Sequence, residues 1–123
     1  MQLSKSEEQL MEYIWKRSKA FLKDLLDDFP EPKPATTTVA TLLKRMTDKG
    51  FIAYTRHGKS REYYPLIKKK DYFSKHLNRL IKNFFDDSAS QFASFLTTDT
   101  NLSASELEDL RSIIDKQIKE KKK

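Results

Sequence analysis

A chain of 123 residues has room for one compact domain, or for one domain with an accessory element, and is short for an enzyme with a deep pocket. Apolar residues make up 37% and charged residues 34% of it, so an oligomer would bury apolar surface that a monomer cannot. The absence of cysteine excludes disulfides, thiolate metal sites and a cysteine nucleophile, and the net charge of +6 fits a polyanionic partner.

Two helices are predicted before the first proline cluster. Ser4 and Glu7 have the spacing of a capping box, and apolar residues at helical spacing follow them, so the first helix is predicted over residues 4–17. Residues 20–29 also show helical spacing and predict a second, short helix. The prolines at positions 30, 32 and 34 end it, because proline lacks the amide N–H and disfavours helix before it.

A third helix and a β-hairpin are predicted next. The helix opens at Ala35 or Thr36, and Gly50 is placed to end it in the left-handed conformation. Residues 51–56 and 61–67 are rich in β-branched and aromatic side chains, and the polar turn at residues 57–60 separates them.

Three more helices are predicted in the C-terminal half. Residues 68–87 return to helical spacing, and capping boxes at residues 88–91 and 103–106 begin a short helix and a last amphipathic helix. The expected fold is mainly α with a small β-hairpin. It consists of a winged helix-turn-helix DNA-binding domain over residues 1–67 and a helical dimerisation region over residues 68–123.

The third helix of such a domain enters the major groove, and its hairpin, the wing, lies beside the DNA backbone. An advance of about 100° per residue places the apolar residues of this helix on one side and Thr37, Thr41 and Lys44 on the other, flanked by Thr38 and Arg45. Threonine is a poor helix former, so this cluster favours a functional face, although a solvated surface stays open as the alternative.

Positive charge is concentrated in the same region. The segment from Lys44 to Glu62 has six cations and two anions, so it contributes +4 to the chain's net charge of +6. Such cations supply phosphate contacts, whereas arginine and threonine on the helix can read base edges. The predicted DNA-binding residues are Thr37, Thr38, Thr41, Lys44, Arg45, Arg56, Lys59 and Arg61.

Four segments carry a family resemblance. They are EQLMEYIW at 8–15, TVATLLKRM at 38–46 with KGFI at 49–52, YYPL at 63–66 and LEDLR at 107–111. With these motifs in order along nearly the whole chain, the sequence resembles the penicillinase-repressor family of bacterial repressors, the group that includes BlaI, MecI and CopY.

The resemblance implies a homodimer that binds inverted-repeat operators in double-stranded DNA, with half-sites such as TACA and TGTA. A cytoplasmic location is expected on other grounds, because the N-terminal segment has no apolar run of signal-peptide length. The resemblance further implies control of β-lactam-resistance or copper-handling genes. The β-lactam branch is relieved by cleavage near an Asn–Phe bond, triggered by a membrane sensor with a metalloprotease domain. The matching position is Ser94–Phe95, which keeps the phenylalanine and replaces the asparagine. The copper branch uses a cysteine-rich tail. Because this chain has no cysteine, that branch is disfavoured.

The apolar residues after position 67 are too many for so short a segment to bury alone, which favours dimerisation over packing back on the winged helix in a monomer. The predicted dimerisation residues are Phe73, Leu77, Leu80, Ile81, Phe84, Phe92, Leu107, Leu110 and Ile114.

No catalytic, metal or cofactor site is expected. His57 and His76 are too few and too far apart for a metal site, and Asp86–Asp87 has no nucleophilic or basic partner. No segment approaches the about 20 apolar residues of a membrane span, so we expect no membrane insertion. The main alternative to a repressor is a winged-helix module that binds proteins without sequence-specific DNA contact.

Overall fold

The computed structural model describes residues 2–123 and places six helices and three short strands within them. In chain order these are α1 (Lys5–Arg17), β1 (Ala20–Phe21), α2 (Leu22–Asp28), α3 (Thr36–Asp48), β2 (Ile52–His57), β3 (Ser60–Pro65), α4 (Lys69–Phe84), α5 (Ala89–Thr98) and α6 (Ala104–Lys121). This order confirms a mainly α fold with a small β-hairpin.

Helix α1 begins with the predicted capping box. The Glu7 N–H donates to Ser4 Oγ at 3.2 Å, and the Ser4 N–H donates to Glu7 Oε1 at 2.7 Å. These bonds satisfy two backbone donors at the start of the helix. Leu10, Met11 and Ile14, one turn further on, are fully buried and fix the inner face of α1.

The second predicted helix was placed too early, because Ala20 and Phe21 form strand β1 instead. They pair antiparallel with β3, with Ala20 opposite Tyr63 and Phe21 opposite Glu62, and the sheet order is β1-β3-β2. Helix α2 therefore begins only at Leu22. The apolar spacing from residue 21 fits a helix, but pairing with a distant strand overrides this local pattern.

Helix α3 and the hairpin follow the prediction closely. Val39, Leu43 and Met46 are buried on the inner face of α3, and Gly50 adopts a φ of 82° after it. The hairpin turn is tighter than predicted, because His57 and Ser60 are the last pair of the β2–β3 ladder. The two-residue turn requires positive φ, which Gly58 supplies at 62°.

The chain divides into two compact units, with the second spanning Lys75–Lys123. The first unit holds the hydrophobic core, to which α1, α3 and the sheet contribute. It extends past the predicted boundary at residue 67. Tyr72, in the first turns of α4, is buried and donates to Glu8 Oε2 at 2.8 Å. The assignment of residues 68–123 to dimerisation stays a prediction.

The second unit contains most of α4 together with α5 and α6. The Ser88 hydroxyl accepts the Gln91 N–H, and Ser103 and Glu106 form a full capping box. Neither α5 nor α6 has a buried residue, so both helices keep their apolar side chains at least partly accessible. No helix in residues 2–123 is both long enough and apolar enough to cross a membrane.

Candidate nucleic-acid interface

The outer face of α3 presents the five predicted helix residues. Thr37, Thr38, Thr41, Lys44 and Arg45 are all exposed. The Thr41 hydroxyl donates to the Thr37 carbonyl at 2.9 Å, which uses its single proton and leaves its lone pairs free to accept. This face can therefore accept a hydrogen bond through Thr41, offer methyl groups, and donate through the two cations.

Lys44 is the one cation of this face with an ion pair in the described part of the chain. Its ammonium lies 3.1 Å from Asp48 Oδ2, one turn further along α3, and both side chains are exposed. An exposed pair of this kind stabilises the helix only weakly, by about 0.3–0.5 kcal/mol. A phosphate or base acceptor can therefore take the place of Asp48 at little cost.

The wing places two arginines directly opposite each other. Arg56 and Arg61 are cross-strand partners in the β2–β3 ladder, and both are exposed. Like charges at such positions destabilise a sheet unless an anion lies between them or beside them. The Arg61 guanidinium also lies 4.5 Å from the centre of the Tyr54 ring, which holds it against the sheet. The strand register thus places two guanidinium groups side by side, an arrangement that favours an anion as partner.

A groove of about 380 Å³ joins α3 to the wing within the first unit. Its lining residues are Ala40, Lys44, Thr47, Asp48, Tyr54, Arg61 and Tyr63. Lys59 lies in the turn at the tip of the same wing and is exposed. Of the eight predicted DNA-binding residues, Lys44 of α3 and Arg61 of the wing line this groove together, and the other six do not.

Lys49 differs from the other five cations between Lys44 and Glu62, because its partner is a buried carboxylate. Its ammonium lies 2.6 Å from Glu7 Oε1 and also donates to the Gln2 carbonyl at 3.2 Å. Burial of Glu7 opposes ionisation, but the hydrogen bonds from Lys49 and Ser4 and the Lys49 charge outweigh it and hold the pKa of the Glu7 carboxyl below its usual value. Lys49 therefore serves the fold, and its pairing over 42 residues could not be read from local sequence.

The predicted dimerisation residues lie in four places, namely α6, α4, α5 and the first unit. Leu107, Leu110 and Ile114 line an apolar groove of about 400 Å³ with Ala93 and Leu96 of α5. Leu77, Leu80, Ile81 and Phe84 lie along α4, and Phe84 is 75% exposed; Phe92 lies in α5 and contacts Phe85 at 5.5 Å. Phe73 belongs to the first unit, where its ring lies 6.0 Å from that of Trp15.

The predicted cleavage position is accessible. Ser94 and Phe95 are both exposed in α5, and Phe95 retains a ring contact with Phe85 at 5.6 Å. In residues 2–123, no group of three or more histidine, cysteine or carboxylate side chains could hold a metal ion.

A solvent-facing helix with hydroxyl and cationic side chains, beside a wing with paired arginines, defines a winged-helix DNA-binding protein. Residues 3–116 match the penicillinase repressor family, and the chain belongs to that family. The resemblance drawn from the sequence is thereby confirmed. The family consists of transcriptional repressors and not of enzymes, so the chain is a repressor.

Relatives span almost the full length of the chain. The methicillin resistance regulatory protein MecI of Staphylococcus aureus strain N315 is 26% identical over 117 residues, which cover 94% of this chain and 95% of that protein. The penicillinase repressor of Bacillus licheniformis is 26% identical over 123 residues, covering 98% and 95%. The solution structure of the DNA binding domain of the repressor BlaI is similar with a TM-score of 0.52 and 28% identity, covering 58% of this chain and 88% of that domain.

Proposed function

We propose that the chain represses transcription by binding, as a homodimer, an inverted-repeat operator in double-stranded DNA. The observation that carries the proposal is the exposed face of α3 beside the Arg56–Arg61 pair of the wing. Helix α3 enters the major groove, and the wing contacts the backbone. Such a repressor acts in the cytoplasm.

The helix and the wing contact different parts of the DNA. Arg45 and Thr41 read base edges, because an arginine fork matches the two acceptors of guanine and a threonine can meet the edge of adenine or the methyl group of thymine. Arg56, Lys59 and Arg61 neutralise phosphates, and Lys44 joins them after release from Asp48. Thr37 and Thr38 contact DNA at the start of the helix.

The target genes and the inducing pathway are proposed from the relatives. Two of them are named for methicillin resistance and for penicillinase, so β-lactam-resistance genes are the proposed targets. Relief of repression by cleavage at Ser94–Phe95, with a membrane sensor metalloprotease acting directly or indirectly, is the proposed response. The exposure of both residues supports access to that bond.

Substitution of Arg45 and Lys59 tests the proposal. Arg45→Ala is expected to lower operator affinity by about 1–3 kcal/mol and to reduce discrimination against random DNA, because a bidentate base contact is lost. Lys59→Ala is expected to weaken binding to operator and random DNA alike, because a phosphate contact carries no sequence information. Gel shifts on the promoter of the gene and on a random duplex, across a salt series, measure both.

Arg45→Lys is the matched control, because it keeps the charge and removes the planar fork. It should retain random-DNA affinity and still lose discrimination. Equal losses on both duplexes for Arg45→Ala would refute the base-reading role. Absence of any salt-dependent duplex binding by the unaltered protein would refute DNA binding and favour a protein-binding module.

A further inference from the structure

A second groove, of about 530 Å³, lies on the first unit between the start of α2 and the wing. Its polar lining consists of Lys23, Lys59, Ser60 and Arg61, and its apolar lining includes Phe21 and Tyr63. Lys23 comes from a segment that the charge distribution along the sequence marks as acidic, since Asp24, Asp27 and Asp28 follow it. The groove therefore joins cations that are far apart in the chain.

Strand β1 creates this juxtaposition. The pairing of Phe21 with Glu62 and of Ala20 with Tyr63 fixes the start of α2 against β3. Lys23 follows β1 after a single residue, so it lies beside the wing and not with the acidic end of α2. Without β1, nothing in the local sequence would bring Lys23 to Lys59 and Arg61.

Three carboxylates of α2 and β3 have hydrogen-bond partners other than the cations of the groove. Asp24 Oδ2 accepts the Phe21 N–H at 3.0 Å, and Asp28 accepts two hydrogen bonds from Arg17 at 2.7 and 2.8 Å. Glu62 lies 3.1 Å from His57 Nε2. Among the residues that the structure describes, Lys23, Lys59 and Arg61 take part in no ion pair. Three exposed cations in one groove without a counterion form an anion-binding surface.

We propose that this groove binds a backbone phosphate of duplex DNA, with Lys23 as the third cation beside Lys59 and Arg61. The inference rests on the proposed function and extends its footprint beyond α3 and the wing. Arg61 and Tyr63 line this groove and also the groove between α3 and the wing. One DNA strand that follows the wing therefore meets both grooves, which favours a polymer of phosphates over a small phosphorylated molecule.

Salt-dependent binding of a random duplex tests the contact, with fluorescence anisotropy as the readout. Each phosphate contact adds about 0.9 to the slope of log affinity against log salt. Lys23→Gln is expected to reduce the slope by about 0.9, on operator and random duplex alike, and Lys23→Arg should restore it. Lys5→Gln is the matched control, because Lys5 is also exposed and helical but does not line the groove. Its slope should equal that of the unaltered protein.

The outcomes separate the inference from the proposed function. An unchanged slope for Lys23→Gln, with normal operator binding by the unaltered protein, overturns the inference and leaves the repressor function in place. If the unaltered protein binds no duplex at all, the proposed function itself is overturned. A titration with inorganic phosphate distinguishes DNA from a small phosphorylated ligand, with the amide resonances of Lys23 and Ser60 as the readout. If these resonances respond to phosphate but Lys23→Gln leaves the salt slope of DNA binding unchanged, the groove binds a small phosphorylated ligand. That result would overturn the DNA contact.

Discussion

The Glu7 carboxyl, only 1% exposed, has two roles. It completes the capping box of α1 through the Ser4 N–H, and it holds Lys49, which directly follows α3. Lys49 keeps 26% of its side chain exposed, so the pair lies at the rim of the core. This contact ties the start of α1 to the end of α3.

Glu7→Gln is expected to lower the free energy of unfolding by about 2–3 kcal/mol at neutral pH, because it leaves Lys49 without its charged partner. Since the folded-state pKa of Glu7 is depressed, its contribution is present above the usual glutamate pKa of 4.5 and is lost as the pH falls through the lower folded value. The difference between Glu7→Gln and the unaltered protein should therefore shrink in acid. Urea unfolding at neutral pH and at about pH 3 measures it.

Glu106→Gln is the matched control for this pair. Glu106 holds the same capping-box position in α6, but it is exposed and has no lysine partner in the described part of the chain. Its substitution should change stability much less at either pH. Equal effects of the two substitutions would show that the cap, and not the Glu7–Lys49 ion pair, provides the stabilisation.

At the scale of elements, α5 is suited to local opening. It has ten residues and buries none of them fully, so opening its middle exposes little additional apolar surface. Short helices also depend on tertiary contacts to persist. The ring contacts of Phe85 with Phe92 and Phe95 are among those that hold it.

Cleavage between Ser94 and Phe95 is expected in cells exposed to a β-lactam, and mass spectrometry of the repressor detects it. Ser94→Asn restores the Asn–Phe pair that the family resemblance implies and should accelerate cleavage. Phe95→Ala should slow it, whereas Ile113→Ala, at an exposed apolar residue outside α5 and outside the predicted dimerisation residues, should not. An intact chain during full induction would rule out this route of relief.

The elements also show what the sequence can reveal. Helices α1 and α6 were predictable because their capping boxes agree with their apolar period, and α3 was predictable from its apolar period and the glycine that follows it. Strand β1 was not, because two residues carry no period and their partners lie some 40 positions away. The outer face of α3 follows from its helical period, whereas the groove at Lys23 depends on β1 and so could not be anticipated.

At the scale of the whole molecule, exposed apolar surface is concentrated in the second unit. Eight large apolar side chains in residues 2–123 are exposed, and six of them lie in residues 75–123. Full burial of such a side chain stabilises an assembly by about 1.5–3 kcal/mol. The proposed two-fold dimer would bury the part of this surface that lines the groove between α5 and α6, and it would match the symmetry of an inverted-repeat operator.

The winged-helix unit should fold without the helices of the second unit when the chain is cut after Ser74. Tyr72 then remains to pack against Trp15 and Phe51 and to donate to Glu8. A cut after Ile67 would remove these contacts from the core, although the Trp15 bond to the Ile67 carbonyl could remain. A chain cut after Ile67 would lose core contacts as well as the second unit, so a change in its oligomeric state could not be separated from a loss of stability. Point substitutions in the full chain test dimerisation alone.

Ile114→Asp is expected to dissociate the homodimer, because it places a charge in the apolar groove between α5 and α6. Ile113→Asp is the matched control: the two neighbours are 56% and 58% exposed, but Ile113 does not line the groove. Sedimentation at micromolar concentration should give a dimer for the unaltered protein and for Ile113→Asp, and a monomer for Ile114→Asp. The monomer should lose about 10²–10⁴-fold in operator affinity, because its two half-site contacts are no longer linked, and should keep its affinity for a single half-site. An unaltered chain that sediments as a monomer would refute the homodimer, and its operator affinity would then have to come from one winged helix alone.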